Sequence, residues 1–267
     1  HRVSVDDVMI RQRQESAIIR ARLAFAGREI LAEVQLNRAS ANRAQVNRSV
    51  IKTRELPRYF SSVLFAPEDL ALVRGEPSGR RKFLDELLVL RTPRMSSVIA
   101  DYERVLRQRN TLLKSARASG LKQTQLGTLE IWDERLVALG SEIIHARTSL
   151  VAELAPEVSR AYNAIVGADH AATLATQLSI FATSADDDLA DDAAVRTAVV
   201  PVEAAADGFR AALARLRRAD LDRGITLAGP HRDDLVLGLN GLAARGYASH
   251  GESWSFALAL KLAAAEV

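Results

Sequence analysis

Near both ends of the chain, apolar residues alternate with polar ones or gather in short runs, whereas between them they fall at threes and fours. Ser16 to Phe25 is rich in β-formers, and Gly27-Arg28 can turn it into a second strand, Glu29 to Leu36. Gln45 to Ile51 is a third candidate strand, preceded by polar Asn37 to Asn42. Three antiparallel strands with polar faces cannot close a core alone. Val63-Leu64-Phe65 reads as a short buried strand ending at Pro67. From Gly79 the period becomes helical, with Ile99, Tyr102, Leu106 and Leu113 on one stripe. Leu129, Trp132, Leu136, Leu139, Ile143 and Leu150 form a second narrow seam. With Ser119-Gly120 between them, the two segments predict an antiparallel helical hairpin, a short coiled coil. Pro156 suits the first turn of a further helix. A last long helix is expected from about Ala204 to Leu221. Strands follow at Thr226-Leu227-Ala228 and Leu235-Val236-Leu237, the second running into an Asn240-Gly241 hairpin turn. Sheet at both ends with helices between predicts a mixed α/β fold: one discontinuous head and an inserted helical arm.

Composition narrows the chemistry. The 267 residues are 48% hydrophobic and 26% charged, ordinary for a globular protein. No apolar run approaches the roughly 18–20 residues of a membrane span. There is no cysteine, which removes disulfides, thiolate metal sites and cysteine nucleophiles. The five histidines are scattered, so no structural metal is expected. Net charge is only +3, but ten Lys/Arg stand against four Asp/Glu between Arg80 and Arg117. That block is either a seat for a phosphate backbone or a solvated helix face. Asp186, Asp187, Asp188, Asp191 and Asp192 cluster in a Ser/Ala-rich stretch that reads as a surface loop. Arginine supplies 31 of the 36 basic residues, which hints at a GC-rich bacterial genome.

The most telling stretch is Ser249-His250-Gly251-Glu252, a small turn opening onto an Ala/Leu-rich helix. Free N–H groups and the positive end of the dipole at a helix start make a seat for phosphate, although such a turn also serves as an ordinary cap. Upstream lie Gly229-Pro230-His231-Arg232-Asp233-Asp234 and Gln108-Arg109-Asn110-Thr111-Leu112-Leu113. Further upstream, Phe65 to Gly75 contains Pro67-Glu68-Asp69-Leu70, and Arg80-Arg81-Lys82-Phe83-Leu84-Asp85 follows. In this order and spacing the blocks resemble the RecF family of bacterial DNA replication and repair proteins. The resemblance covers essentially the whole chain and is weakest between about Ala168 and Ala206.

That resemblance implies an ABC-type ATPase head, similar to SMC-type heads, that works as a homodimer with each ATP and its Mg2+ lying between two subunits. Residues 1–78 and 223–267 would belong to the head and 79–222 to the helical arm. Ser249, Gly251 and Glu252 match the signature turn that one subunit presents to the γ-phosphate of ATP held by the other, with Ser249 donating its hydroxyl and backbone N–H. Gly229, His231, Arg232, Asp233 and Asp234 would support this nucleotide interface. His231-Arg232-Asp233 also matches part of a kinase loop, but the rest of that signature is absent. Pro67-Glu68-Asp69 either caps a helix or senses nucleotide at the junction of head and arm. Arg80, Arg81, Lys82, Arg107 and Arg109 are the candidate DNA contacts, with Arg104 less prominent; Arg109 and Asn110 could instead stabilise the arm. Neither a GxxxxGK[ST] phosphate loop nor an apolar strand ending in two acidic residues occurs in these residues, so the chain as given is expected not to hydrolyse ATP. The family further implies a cytoplasmic protein, binding duplex DNA near single-strand gaps, cooperation with RecO and RecR in loading RecA, and a role in the SOS response. Two alternatives are a nucleotide-independent DNA-binding scaffold and another ABC-headed repair ATPase; the short arm argues against SMC and RecN proteins.

Overall fold

The computed structural model describes residues 5–25, 27–59, 64–119, 127–182 and 195–267. The acidic cluster, Gly120 and Val63 lie outside the described residues. The chain divides into two compact units, His1–Val63 and Leu64–Val267.

The first unit is an antiparallel sheet in the order β1-β2-β3-β4. β1 (Ser16–Phe25) and β2 (Arg28–Asn37) form a long ribbon whose register runs from Ser16↔Asn37 to Phe25↔Arg28. The third expected strand is instead two, β3 (Arg43–Val46) and β4 (Ser49–Ile51). Asn47 and Arg48, at φ +50° and +71°, turn the chain back between them. Asparagine tolerates this left-handed conformation, and two such residues in succession make the tight hairpin turn favoured by twisted strands. The Asn47 side chain then accepts the Leu31 N–H at 2.8 Å, tying the turn to β2. Ala32, Leu36, Ala44 and Val46, with Ile10, are buried on one side of the sheet.

The second unit carries the helices. After a 3-10 turn at Pro67–Leu70 come α1 (Ala71–Arg74), α2 (Pro77–Arg91), α3 (Met95–Ser119) and α4 (Gly127–Val166). A second antiparallel sheet, in the order β6-β5-β7-β8, is built from β5 (Thr173–Gln177), β6 (Val195–Arg196), β7 (Asp234–Leu239) and β8 (Leu242–Ala243). α5 (Val202–Arg223) lies in sequence between β6 and β7, and α6 (Ala244–Tyr247) and α7 (His250–Glu266) close the chain. α3 and α4 pack antiparallel, as the seams predict: Arg94 pairs with Glu142 and Arg109 with Asp133. α4 also packs on α5, α7 and β5. Tyr102, Leu136, Ile143, Leu150, Leu154, Phe209 and Phe256 all lie in the resulting core.

Three sequence expectations change here. α4 does not restart at Pro156 but runs through it to Val166. A proline inside a helix loses one hydrogen bond and crowds the carbonyl four residues before it. Pro156 is on the exposed side, where water can reach the freed Ala152 carbonyl, while Leu154, Val158 and Tyr162 are fully buried. Tertiary packing therefore outweighs the local break. Thr226 to Ala228 is irregular rather than a strand, and Leu64-Phe65 is not in a strand either. The strand that pairs with β7 is β5, in register Thr173↔Gly238 to Gln177↔Asp234. Asn240 and Gly241, at φ +51° and +77°, form the expected hairpin turn into β8. Among the described residues no helix is long and apolar enough to cross a membrane.

Candidate functional site

α7 begins as its sequence dictates. Ser249 is extended (φ −60°, ψ 169°) and its hydroxyl oxygen accepts the Glu252 N–H at 3.3 Å. Glu252 reaches back, its carboxylate accepting the Ser249 N–H at 2.7 Å, a reciprocal capping box. That contact, chiefly through Ser249, holds the Glu252 carboxyl below its ordinary pKa. The Ser249 backbone N–H is thus already engaged, and of the two donors expected from this residue the hydroxyl proton is the one the box leaves over. The next two N–H groups, of His250 and Gly251, lie at the positive end of a seventeen-residue helix. Gly251 is exposed, and a Cβ added there would meet nothing within 4 Å. The fold itself therefore does not require glycine at this position. Trp254 donates to His250 Nε2 at 2.8 Å and stacks edge-on to Phe65 at 5.3 Å between centroids.

The helix behind the turn is anchored on several sides. Phe256, Ala257, Ala259 and Leu260 are fully buried. Ser253 is buried as well, its hydroxyl donating to the Ser249 carbonyl at 2.8 Å and accepting from Arg74 Nε at 3.0 Å. A second Arg74 nitrogen holds the Ala248 carbonyl, also at 3.0 Å. Lys261 pairs with Asp69 at 3.4 Å, so both ends of the Asp69–Arg74 segment clasp α7. Asp69 also caps locally, accepting the Ala66 N–H at 2.8 Å. Sequence reasoning gave Arg74 no role; the available signal was a cation at the end of a short helix, just before Gly75. His170 links the turn to α4, with Nδ1 at 3.2 Å from the Tyr162 hydroxyl and 3.7 Å from the Glu252 carboxylate.

The Gly229-to-Asp234 block is a hub. Gly229 has φ +128°, and a Cβ there would lie 2.6 Å from both Phe209 and the Tyr102 hydroxyl, so only glycine fits. The Arg232 N–H closes the turn on the Gly229 carbonyl at 2.8 Å. Arg147 donates to the Pro230 carbonyl at 2.6 Å and forks onto Asp85 with two bonds of 2.8 Å. Asp233, buried, accepts the Ser179 N–H and hydroxyl at 2.8 Å each, while burial pushes its carboxyl up to about 6. His231 donates from Nε2 to the Thr226 carbonyl at 3.1 Å, which leaves Nδ1 to accept the Tyr102 hydroxyl at 2.7 Å. Burial lowers the His231 pKa to about 4, so the ring is neutral at physiological pH. This is a polar brace joining α2, α3, α4 and β7.

Two candidate DNA contacts face inward instead. Arg80 is 2% exposed and grips Asp234 with two bonds of 2.7 Å, because α2 turns it toward the start of β7. Arg109 is 0% exposed. It bonds Asp133 and Asp220 at 2.7 Å each and Thr226 Oγ1 at 2.8 Å. A guanidinium without solvent access cannot touch a phosphate backbone, so both leave the DNA-contact set, and Arg109 takes up the alternative role of stabilising the helices. Asn110 shares it, accepting both the N–H and the hydroxyl of Thr226. Arg81 is half-buried and donates to the Asp233 carbonyl at 2.7 Å. Lys82 and Arg107 are open to solvent, with 76% and 68% of their side chains exposed and only loose pairs to Glu86 and Glu103.

The chain matches no family model. It is 63% identical to the DNA replication and repair protein RecF of Clavibacter michiganensis subsp. michiganensis, over all of this chain and 67% of that protein. It is 61% identical to the RecF of Leifsonia xyli subsp. xyli, over all of this chain and 69% of that one. The chain belongs to the RecF family. It spans about two thirds of the length of these relatives. A solved structure of the recombination mediator protein RecF-ATP in the RecFOR pathway superposes with a TM-score of 0.67 at 25% identity, over 98% of this chain and 66% of that one. The mixed α/β architecture is therefore that of a RecF-type, ABC-class ATPase.

Proposed function

We propose that this chain forms the part of a RecF-family DNA-repair ATPase that presents a signature turn to ATP held by a second copy. Gly251 carries the reading. It is an exposed glycine on the first turn of a rigidly anchored helix, with empty space where a side chain would sit and no internal reason to be glycine. Ser249 supplies the hydroxyl donor, the N–H groups of His250 and Gly251 face the γ-phosphate, and Glu252 holds the turn in shape. For Ser249 to give its own N–H, Glu252 must swing out of the capping box, and His170 stands on its far side to receive it. The residues fit a phosphate, and ATP would supply its charged oxygens as the joint between two heads. Mg2+ would be held with the ATP by the subunit that supplies the phosphate loop.

In this reading ATP closes a homodimer on DNA, and hydrolysis times its release. Residues 79–222 act as the helical arm inserted in the head. The hub from Gly229 to Asp234 keeps arm and head in register. Lys82 and Arg107, with Arg104, contact the duplex backbone. The family points to action in the cytoplasm with RecO and RecR, at gaps where RecA is loaded, and to a part in the SOS response. The test is Ser249→Arg in the native protein, followed by light scattering with ATP and Mg2+ present. Loss of the ATP-dependent rise in mass, with circular dichroism unchanged, is expected. A mass rise equal to that of the unaltered protein rejects the trans site and favours a DNA-binding scaffold indifferent to nucleotide.

A further inference from the structure

The turn that opens α7 is not held by the core. Ala244 and Ser253 are fully buried, but none of the residues between them, Arg245 to Glu252, is buried. Packing therefore fixes the two ends of this stretch and leaves its peptide planes to be aimed by hydrogen bonds. Two side chains from outside it hold its backbone. Arg74 donates to the Ala248 carbonyl at 3.0 Å, and Ser253 Oγ donates to the Ser249 carbonyl at 2.8 Å. Ser253 lies under the same guanidinium, its Oγ accepting from Arg74 Nε at 3.0 Å. A hydroxyl that accepts from a cation is polarised into a stronger donor. Arg74 thus acts on two successive carbonyls, one directly and one through Ser253.

A trans peptide is planar, with its C=O and N–H pointing in opposite directions. Holding the Ala248 oxygen therefore sets the direction of the Ser249 N–H, and holding the Ser249 oxygen sets that of the His250 N–H. Arg74 is itself placed by the hub. Arg80 Nη1 donates to the carbonyls of Leu72 at 3.3 Å and Gly75 at 2.9 Å, on either side of Arg74, while Arg80 forks onto Asp234. The side chain of Arg74 thus starts from backbone tied to β7 and ends on the turn of α7. We propose that Arg74 is the positioning residue of this turn, aiming the N–H groups of Ser249 and His250 at phosphate, with Arg80 tying that aim to Asp234. This role rests on the signature-turn reading. It makes affinity for nucleotide depend on a side chain that acts only through others.

The experiment titrates the native protein with ATP in the presence of Mg2+ and reads, by light scattering, the ATP concentration that gives half of the dimer. Arg74→Met removes both bonds and should raise that concentration by about tenfold or more. Arg74→Lys keeps the charge without the fixed fork and should stay impaired by about threefold or more. Ser253→Ala cuts the branch to the Ser249 carbonyl and should also cost about threefold. Lys261→Ala frees α7 from Asp69 without touching either carbonyl and should change nothing. An unchanged value in Arg74→Met or in Ser253→Ala overturns the inference, and Ser253→Ala decides alone if Arg74→Met fails to fold. A value restored in Arg74→Lys overturns it by assigning the effect to charge. A rise in Lys261→Ala equal to that in Arg74→Met overturns it by assigning the effect to a loosened helix. Ser249→Arg separates the two layers: dimerisation lost there but unaltered in Arg74→Met refutes the positioning role alone. Dimerisation kept in Ser249→Arg, or absent from the unaltered protein, refutes the phosphate reading and the positioning role with it.

Discussion

Replacing Arg109 by methionine separates a structural arginine from a DNA-binding one. The side chain is wholly buried, and its charge is matched by Asp133 and Asp220. Methionine fills much of the volume but leaves Asp220, whose side chain is 1% exposed, without its cation; Asp133 keeps Arg217 at 2.6 Å. Removing one partner of a buried pair costs about 3–5 kcal/mol. For a domain the size of the second unit, that is a fall in Tm of roughly 6–20 °C. The sign of the pH dependence follows from Asp220. Burial already raises its pKa, and Arg109 is the principal group pulling it back. Without Arg109 the folded-state pKa climbs further above the unfolded value, so the folded protein binds the proton more tightly. The loss of stability is therefore smaller at pH 5 than at pH 8. Adding Asp220→Asn removes the stranded charge and should restore part of the loss at pH 8, while its amide oxygen still accepts the Leu227 N–H. Urea unfolding at both pH values measures all three proteins. An Arg109→Met variant as stable as the parent, but with a shallower salt dependence of DNA binding, would falsify the inward reading.

Gly251→Ala should raise stability by up to about 1 kcal/mol, because alanine is the better helix former and its methyl meets no atom. The same variant should lose ATP-dependent dimerisation, and dimerisation retained at the level of the unaltered protein would argue against a close approach at this turn. Asp233→Asn keeps an acceptor for Ser179 but removes a carboxyl whose pKa is raised to about 6. Such a group contributes stability that is full below its unfolded pKa and lost as pH rises through about 6. The variant should therefore show a flatter stability profile between about pH 4 and 7, the window in which the folded and unfolded carboxyl differ in protonation, read by thermal melts. Lys82→Ala and Arg107→Ala should each lower the slope of log K against log salt for duplex binding by about 1. Unaltered slopes in both would remove this face from the DNA interface.

Much of the architecture was legible because it rests on period. The seams through Tyr102 and Leu136 made α3 and α4 visible, and Asn240-Gly241 marked its hairpin. What failed was decided by contacts distant in sequence. Pro156 is a local stop signal overruled by the buried face around it. β5 gave no strand pattern of its own, and its partner β7 lies more than fifty residues downstream. For the site, Ser249 and Glu252 were readable as a cap because capping is local. The inward turn of Arg80 and Arg109 was not, since a basic run looks the same whether its members meet phosphate or aspartates. Arg109 and Asn110 carried the one hint: a stabilising role was already open to them.

The length of α4 has a mechanical consequence. Forty residues at 1.5 Å each make a rod of about 60 Å. Asp133, tied to the buried arginine, and Tyr162, hydrogen-bonded to His170, are about 44 Å apart along it. A tilt of about 5° pivoting at Asp133 would carry Tyr162 sideways by about 4 Å. That displacement exceeds the 3.2 Å contact between Tyr162 and His170, the link that leads on to Glu252. One continuous helix thus carries both the arginine cluster and the contact beside the turn of α7, and its length gives any change of angle at the first a long lever arm at the second.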